Sequence, residues 1–208
     1  AVLSELDKLI GLGQVKNRIR ETIAVVEANK VRKEAGQPAV SSGLHLVFSG
    51  PPGTGKTTVA RLIARLYRAT GALPGAGVVE ATRDDFVAGY VGQTAIKTST
   101  LIERTRPGVL FVDEAYSLRP THESDFGSEA IAALVKAMED HRDDFAVIVA
   151  GYRDEMSDLI KSNPGLKSRF KTFIDFPDYT PEELTSIFVV FAQDVDIAVG
   201  EGVLPKVT

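Results

Sequence analysis

Gly50-Pro51-Pro52-Gly53-Thr54-Gly55-Lys56-Thr57 decides the fold of this chain. The stretch fits G-x-x-x-x-G-K-[ST], a loop whose backbone cradles phosphate groups. Leu44-His45-Leu46-Val47-Phe48 precedes it and reads as a buried strand; Thr58 to Leu66 follows it and reads as a helix with one apolar stripe. In that order, the glycines let the loop curl around an anion, and the curled N–H groups and the positive end of the helix point at one place. Pro52, Gly53, Thr54, Gly55, Lys56, Thr57 and Thr58 are therefore the candidate nucleotide-binding residues of this loop. Lys56 carries a flexible point charge toward the outer phosphates. The Thr57 hydroxyl is placed to ligate Mg²⁺, which bridges phosphate oxygens while keeping most of its waters.

Composition narrows what surrounds this loop. The 208 residues suffice for one full α/β domain and part of a second element, and 44% hydrophobic residues suit a globular core. The absence of cysteine excludes a disulfide framework or a thiolate metal site and fits a reducing compartment. No run approaches a membrane span and no signal peptide opens the chain, so the expected location is cytoplasmic. A net charge of -4 argues against an overall nucleic-acid footprint. His45, His122 and His141 lack metal-ligand spacing and read as structural or solvent-facing. The acids Asp140, Asp143 and Asp144 read as solvated.

Strands and helices alternate along the chain. Helices are expected over Val15 to Lys33, Thr94 to Arg106, Ser128 to His141 and Pro181 to Asp194, and strands over Gly77–Ala81, Val109–Val112, Phe145–Ala150 and Phe173–Phe176. Near-continuous apolar strands between helices predict a parallel sheet covered on both faces, with ligand at the carboxyl ends of its strands. The third strand ends in Asp113-Glu114. Asp113 would hold Mg²⁺ through its water shell, and Glu114 could orient and polarise the water that attacks a γ-phosphate. A water-activating glutamate would waste nucleotide in a small-molecule kinase, so the pair points to a nucleotide hydrolase.

With these elements in place the chain resembles an AAA+ ATPase of the CbxX/CfqX group, which includes red-type Rubisco activases, stage V sporulation protein K relatives and type VII secretion ATPases. The resemblance rests on Ser49 to Thr58, Leu110-Phe111-Val112-Asp113-Glu114-Ala115-Tyr116, Ala150-Gly151-Tyr152-Arg153-Asp154, Ser162 to Phe170 and Asp175 to Leu184, in the family's order. It implies an α/β P-loop NTPase: a three-layer sandwich with a five-stranded parallel sheet, followed by the start of a helical lid. Residues 1–178 would form the nucleotide-binding core and 179–208 the beginning of that lid, truncated, with Gly200, Gly202 and Pro205 interrupting its pattern.

The resemblance also implies a hexameric ring with ATP sites between subunits. Arg169, in Ser168-Arg169-Phe170, resembles the arginine finger that reaches into a neighbour's site, with Lys167 a second candidate at that edge. Ile10-Gly11-Leu12 resembles the segment that lines the adenine pocket. Tyr152 stands where many relatives carry a small polar sensor; its hydroxyl either reads the γ-phosphate or packs. Val87 to Gln93 resembles the loop that faces the central pore, where Tyr90 would grip a polypeptide client unless it anchors the loop against the core. The reading is an ATP-hydrolysing protein remodeller that uses ATP and Mg²⁺ and acts as a homo-oligomer on a polypeptide, with no membrane insertion. A nucleic-acid motor or loader, and a nucleotide-gated assembly scaffold with little turnover, stand as alternatives.

Overall fold

All five expected strands pair in parallel into a single sheet, whose spatial order is Gly77–Ala81, Gly108–Val112, Phe145–Gly151, Leu46–Ser49 and Thr172–Asp175. This computed structural model describes residues 2–38, 43–90, 92–122 and 125–197. Along the chain, α1 (Val2–Lys8) and α2 (Gly13–Glu34) lead to β1 (Leu46–Ser49), α3 (Lys56–Thr70) and β2 (Gly77–Ala81). The short α4 (Arg83–Phe86), α5 (Gln93–Thr105) and β3 (Gly108–Val112) follow. A 3₁₀ turn over Ala115–Leu118 then precedes α6 (Gly127–Asp140), β4 (Phe145–Gly151), α7 (Arg153–Ser162), α8 (Pro164–Arg169), β5 (Thr172–Asp175) and α9 (Pro181–Asp194).

Every residue of β1, β3 and β4 is buried, and the period of two along a strand divides them between two cores. Leu46, Phe48, Phe111 and Ile148 pack with α1, α2 and α3. Val47, Leu110, Val112 and Val149 pack with α5, α6, α7 and α8 on the other face. The result is the expected three-layer sandwich. Burying Phe48, Phe111 and Phe145 contributes about 2 kcal/mol each before the entropy of ordering is subtracted.

The helices α1, α4, α7 and α8 are not marked by the sequence pattern. Each is short, and α7 buries only Met156, Leu159 and Ile160, a single i, i+3, i+4 contact too brief to register as a period. Caps reveal the later ones better. Asn163 accepts from the Gly165 and Leu166 N–H groups with Pro164 at the first turn of α8, and Thr180 and Glu183 form a capping box with Pro181 at the start of α9. Contrary to the expectation from sequence, Asp144 is not simply solvated: Arg106 holds it with Nη2 at 2.9 Å and Nε at 3.2 Å. Of residues 179–208, the described part is essentially α9, which leaves Leu184, Phe188 and Phe191 exposed; Gly200, Gly202 and Pro205 lie outside the described residues.

Candidate functional site

The carboxyl ends of β1, β3 and β4 meet at one edge of the sheet. There β4 lies between its partners, pairing Gly151 with Ser49 and Val149 with Val112. A cavity of about 370 Å³ opens there, a volume in the range of small-molecule sites. Gly50, Pro52, Gly53, Gly55, Lys56, Thr57 and Thr58 line it from the glycine loop, Asp113, Glu114 and Tyr116 from the segment after β3, Gly151 and Tyr152 from β4, and Phe191 from α9. A larger cavity of about 420 Å³ lies between β1, β5, α7 and α8 and includes Lys167. It contains neither acid nor glycine loop, so the chemistry converges on the smaller one.

The loop's shape follows from its sequence. Gly50 has φ +145°, and a Cβ there would lie 2.2 Å from the Phe176 carbonyl oxygen, so only glycine lets β1 turn past the end of β5. Thr54 does not line the cavity; it is buried, and its hydroxyl donates to the Pro51 oxygen at 2.8 Å, fixing the curl from behind. The Tyr179 hydroxyl donates to the Thr54 oxygen at 3.2 Å, tying the loop to the start of α9. Lys56 donates to the Gly50 oxygen at 3.0 Å and also to the Pro51 oxygen. Burial lowers its pKa, with the Asp113 charge opposing. A desolvated ammonium held by neutral carbonyls gains from an anion placed beside it.

Across the cavity, the Asp113 N–H donates to the Ala81 oxygen at 3.0 Å and extends the β2–β3 ladder to the acid itself. Its Oδ1 accepts the Glu114 N–H at 3.0 Å. Glu114 adopts φ 48° and ψ 41°, a left-handed conformation that costs a non-glycine residue about 1–3 kcal/mol and collects at functional sites. Burial raises the pKa of Tyr116, and the adjacent Glu114 carboxylate adds to the shift. Tyr116 also packs on Tyr152, with ring centroids 6.1 Å apart, and Gly151 makes room, since a Cβ there would lie 2.7 Å from the Tyr116 ring. Tyr152 is both half-exposed at the cavity and packed, so both readings of it have a geometric basis.

Oxygen donors on facing walls, the Thr57 hydroxyl and the Asp113 carboxylate, suit Mg²⁺, a hard cation commonly bound by one or two carboxylates plus substrate phosphates. Among the described residues no cluster of three or more metal-ligating side chains could hold an ion unaided.

Other expected residues do not line this cavity. Ile10, Gly11 and Leu12 are not among the residues that line it. Leu12 is buried with φ 56°, and a Cβ on Gly11 would meet the Glu183 carboxylate at 2.4 Å, so the segment abuts the first turn of α9 next to Tyr179. Arg169 stands at the amino end of the sheet, just before β5, where its guanidinium donates to the Gly165 oxygen and to Glu139, both at 3.3 Å. Tyr90 is 74% exposed, which excludes an anchor against the core. Tyr116, Tyr179 and Phe191 were not singled out from the sequence. The first two sit inside stretches that carried the family resemblance; nothing in the pattern around Phe191 marks it.

The fold and this cavity define a nucleotide-binding domain of the AAA type. A model of the ATPase family associated with various cellular activities (AAA) matches residues 46–178. The chain is 48% identical over 195 residues to a CfxQ homolog of Galdieria sulphuraria, covering 93% of this chain and 64% of that protein. It is 47% identical over 195 residues to the chloroplastic ribulose bisphosphate carboxylase/oxygenase activase of Cyanidioschyzon merolae, covering 93% and 67%, and 50% identical over 188 residues to CbbX of Cereibacter sphaeroides, covering 89% and 61%. Among solved structures, a single-site variant of RuvB from Thermotoga maritima matches with TM-score 0.64 at 22% identity, covering 96% of this chain and 56% of that one. The FIGL-1 AAA domain in complex with ADP matches with TM-score 0.64 at 21% identity, covering 90% and 60%. The chain therefore belongs to the AAA ATPase family and, within it, to the group of CfxQ and CbbX proteins. It spans about two thirds of the length of these curated relatives.

Proposed function

We propose that this chain is the motor domain of an ATP-driven protein remodeller that converts ATP and water to ADP and phosphate. The observation that carries the reading is the convergence of the glycine loop and the two acids on one cavity. Glu114 accepts a proton from water as its oxygen bonds to the γ-phosphorus; the bond to the β–γ bridging oxygen breaks, and its electrons leave with ADP. Lys56 stabilises charge on the outer phosphates. Thr57 and Asp113 would hold Mg²⁺, which when bound neutralises the β- and γ-phosphate oxygens. Tyr152 offers a hydroxyl toward the γ-phosphate, and Ile10, Gly11 and Leu12 flank the adenine.

Arg169 lies at the opposite end of the sheet from its own loop, so in this reading it serves a neighbouring subunit of a hexameric ring. Its partner Glu139 is 60% exposed, and an ion pair that open to solvent holds the guanidinium weakly. Tyr90, exposed on a loop, grips a polypeptide client in the pore. Rubisco is one candidate client, from the name of the Cyanidioschyzon relative. In this reading the motor works in the cytoplasm. Residues 1–178 form its core, and α9 begins the lid. Among the described residues no helix is long and apolar enough to cross a membrane.

The test is which polymer accelerates turnover. ATP hydrolysis by the full-length assembly is expected to rise with an unfolded polypeptide and to ignore DNA. Turnover stimulated by DNA and insensitive to polypeptide would overturn the reading in favour of a nucleic-acid motor.

A further inference from the structure

Arg83 and Asp125 form an ion pair unlike the others. The Asp125 side chain is 2% exposed, whereas the acid of every other ion pair among the described residues is at least 29% exposed. Neither residue lines the nucleotide cavity. The Asp125 carboxylate collects the Arg83 guanidinium at 2.6 Å, the Gly127 N–H at 2.8 Å, and the Thr121 N–H and hydroxyl at 3.0 and 3.3 Å. Burial opposes its charge, and these donors outweigh burial to hold its pKa well below the usual carboxylate range. A buried charge bound this way does not slip, because breaking one partner strands the other.

The guanidinium has a second arm. It donates to the carbonyl oxygen of Ser117, whose own N–H donates to the Glu114 oxygen at 2.9 Å. Arg83 therefore grips the 3₁₀ turn that starts at the acid. Arg83 is also the first residue of α4, and α4 runs directly into the loop that carries Tyr90. That loop is fastened at its near end: Lys97 donates to the Asp84 oxygen at 2.5 Å and the Val87 oxygen at 3.1 Å, and the Ala88 N–H donates to Thr94 at 3.0 Å. One planar fork thus spans the acid-bearing turn, the start of α6 and the base of the exposed loop.

We propose that Arg83, clamped by Asp125, is a positioning residue that couples the Glu114 turn to the Tyr90 loop, so that the state of the nucleotide phosphates is transmitted to the loop that meets the client. This rests on the proposed nucleotide site. Lysine presents a single nitrogen and cannot hold both acceptors in the same geometry.

The chain has no cysteine, so Tyr90→Cys in the full chain gives one labelling site for an environment-sensitive fluorophore. Mg·ATP is expected to shift the label's emission. Arg83→Lys, which keeps a cation beside Asp125, and Asp125→Asn, which keeps its shape, are each expected to cut that shift at least about five-fold at saturating nucleotide, while the Kd for a fluorescent ATP analogue stays within about two-fold. The double variant is expected to lose no more than either single one, because all three break one connection. A merely structural pair would move the melting temperature and leave the shift intact. The proposal is overturned by a full shift in a folded Arg83→Lys or Asp125→Asn protein, by additive losses, or by no shift in the parent. The label needs no client. Tyr90→Ala with undiminished polypeptide-stimulated turnover would defeat the pore reading while leaving the coupling result to stand by itself.

Discussion

At the carboxyl ends of β1, β3 and β4 the chain leaves charged groups facing a cavity, whereas at the amino ends of the same strands it pairs them with one another. The amino end is closed by Arg106 on Asp144 and by His45, which is buried and whose Nδ1 accepts the Val147 N–H at 3.0 Å. At the carboxyl end Lys56 rests on neutral carbonyls, and Asp113 and Glu114 have no ion-pair partner among the described residues. The two ends differ in whether the charges beside a cavity are matched: Arg153, just after β4, pairs with Asp175 at the end of β5, but the charges lining the nucleotide cavity find no opposite one among the described residues, and an unmatched charge beside a cavity is where a charged ligand gains most. Arg169 is the exception at the amino end, held by an exposed glutamate and with a buried Nε that makes no hydrogen bond.

The sharpest way to break this contrast is Arg169→Ala. If the amino-end arginine completes a neighbour's site, turnover of the assembly falls about 10³-fold or more while each subunit still binds ATP. Steady-state hydrolysis beside equilibrium nucleotide binding checks this; unchanged turnover would return Arg169 to the sealed end with the rest. Next in size is Gly50→Ala. The added Cβ meets the Phe176 oxygen at 2.2 Å with φ at +145°, so denaturant unfolding is expected to show a loss on the order of 3 kcal/mol. Equal stability would mean that the loop's entry is not fixed by β5.

A test of comparable size probes the sealed end by pH. Burial lowers the His45 pKa from 6.5 to about 4, with the Met138 carbonyl opposing and the Arg169 charge assisting. Above pH 6.5 neither the folded nor the unfolded chain is protonated there, and the contribution is complete. As pH falls from 6.5 toward 4 the unfolded chain takes the proton first, and stability drops by about 3 kcal/mol. Denaturant midpoints across that window should fall in the parent and flatten in His45→Gln; identical slopes would show that His45 is not sealed.

These contrasts also explain what the sequence revealed. The glycine loop and the acids after β3 were legible because each joins a strand of near-continuous apolar residues to a polar run with fixed spacing. The sheet's parallel sense followed from the helices between strands. The pairing order could not be read, since nothing local in β1 says that β4 rather than β2 lies beside it. Tyr116 and Phe191 escaped because their roles depend on which elements meet over the cavity. Arg83 and Asp125 escaped for a related reason: 42 residues separate them, and each alone looks like a surface charge. The exposure of Tyr90, which decides between anchor and free loop, is set by how α4 and α5 pack.

In the proposed mechanism one cavity holds the triphosphate between the glycine loop and Glu114, and Glu114→Gln separates binding there from the chemistry. ATP binding and turnover measured on the same preparation should separate, with affinity within about three-fold of the parent and hydrolysis reduced at least about 100-fold. Hydrolysis at the parent rate would leave Glu114 outside the chemistry, and binding lost together with turnover would make it a binding residue instead.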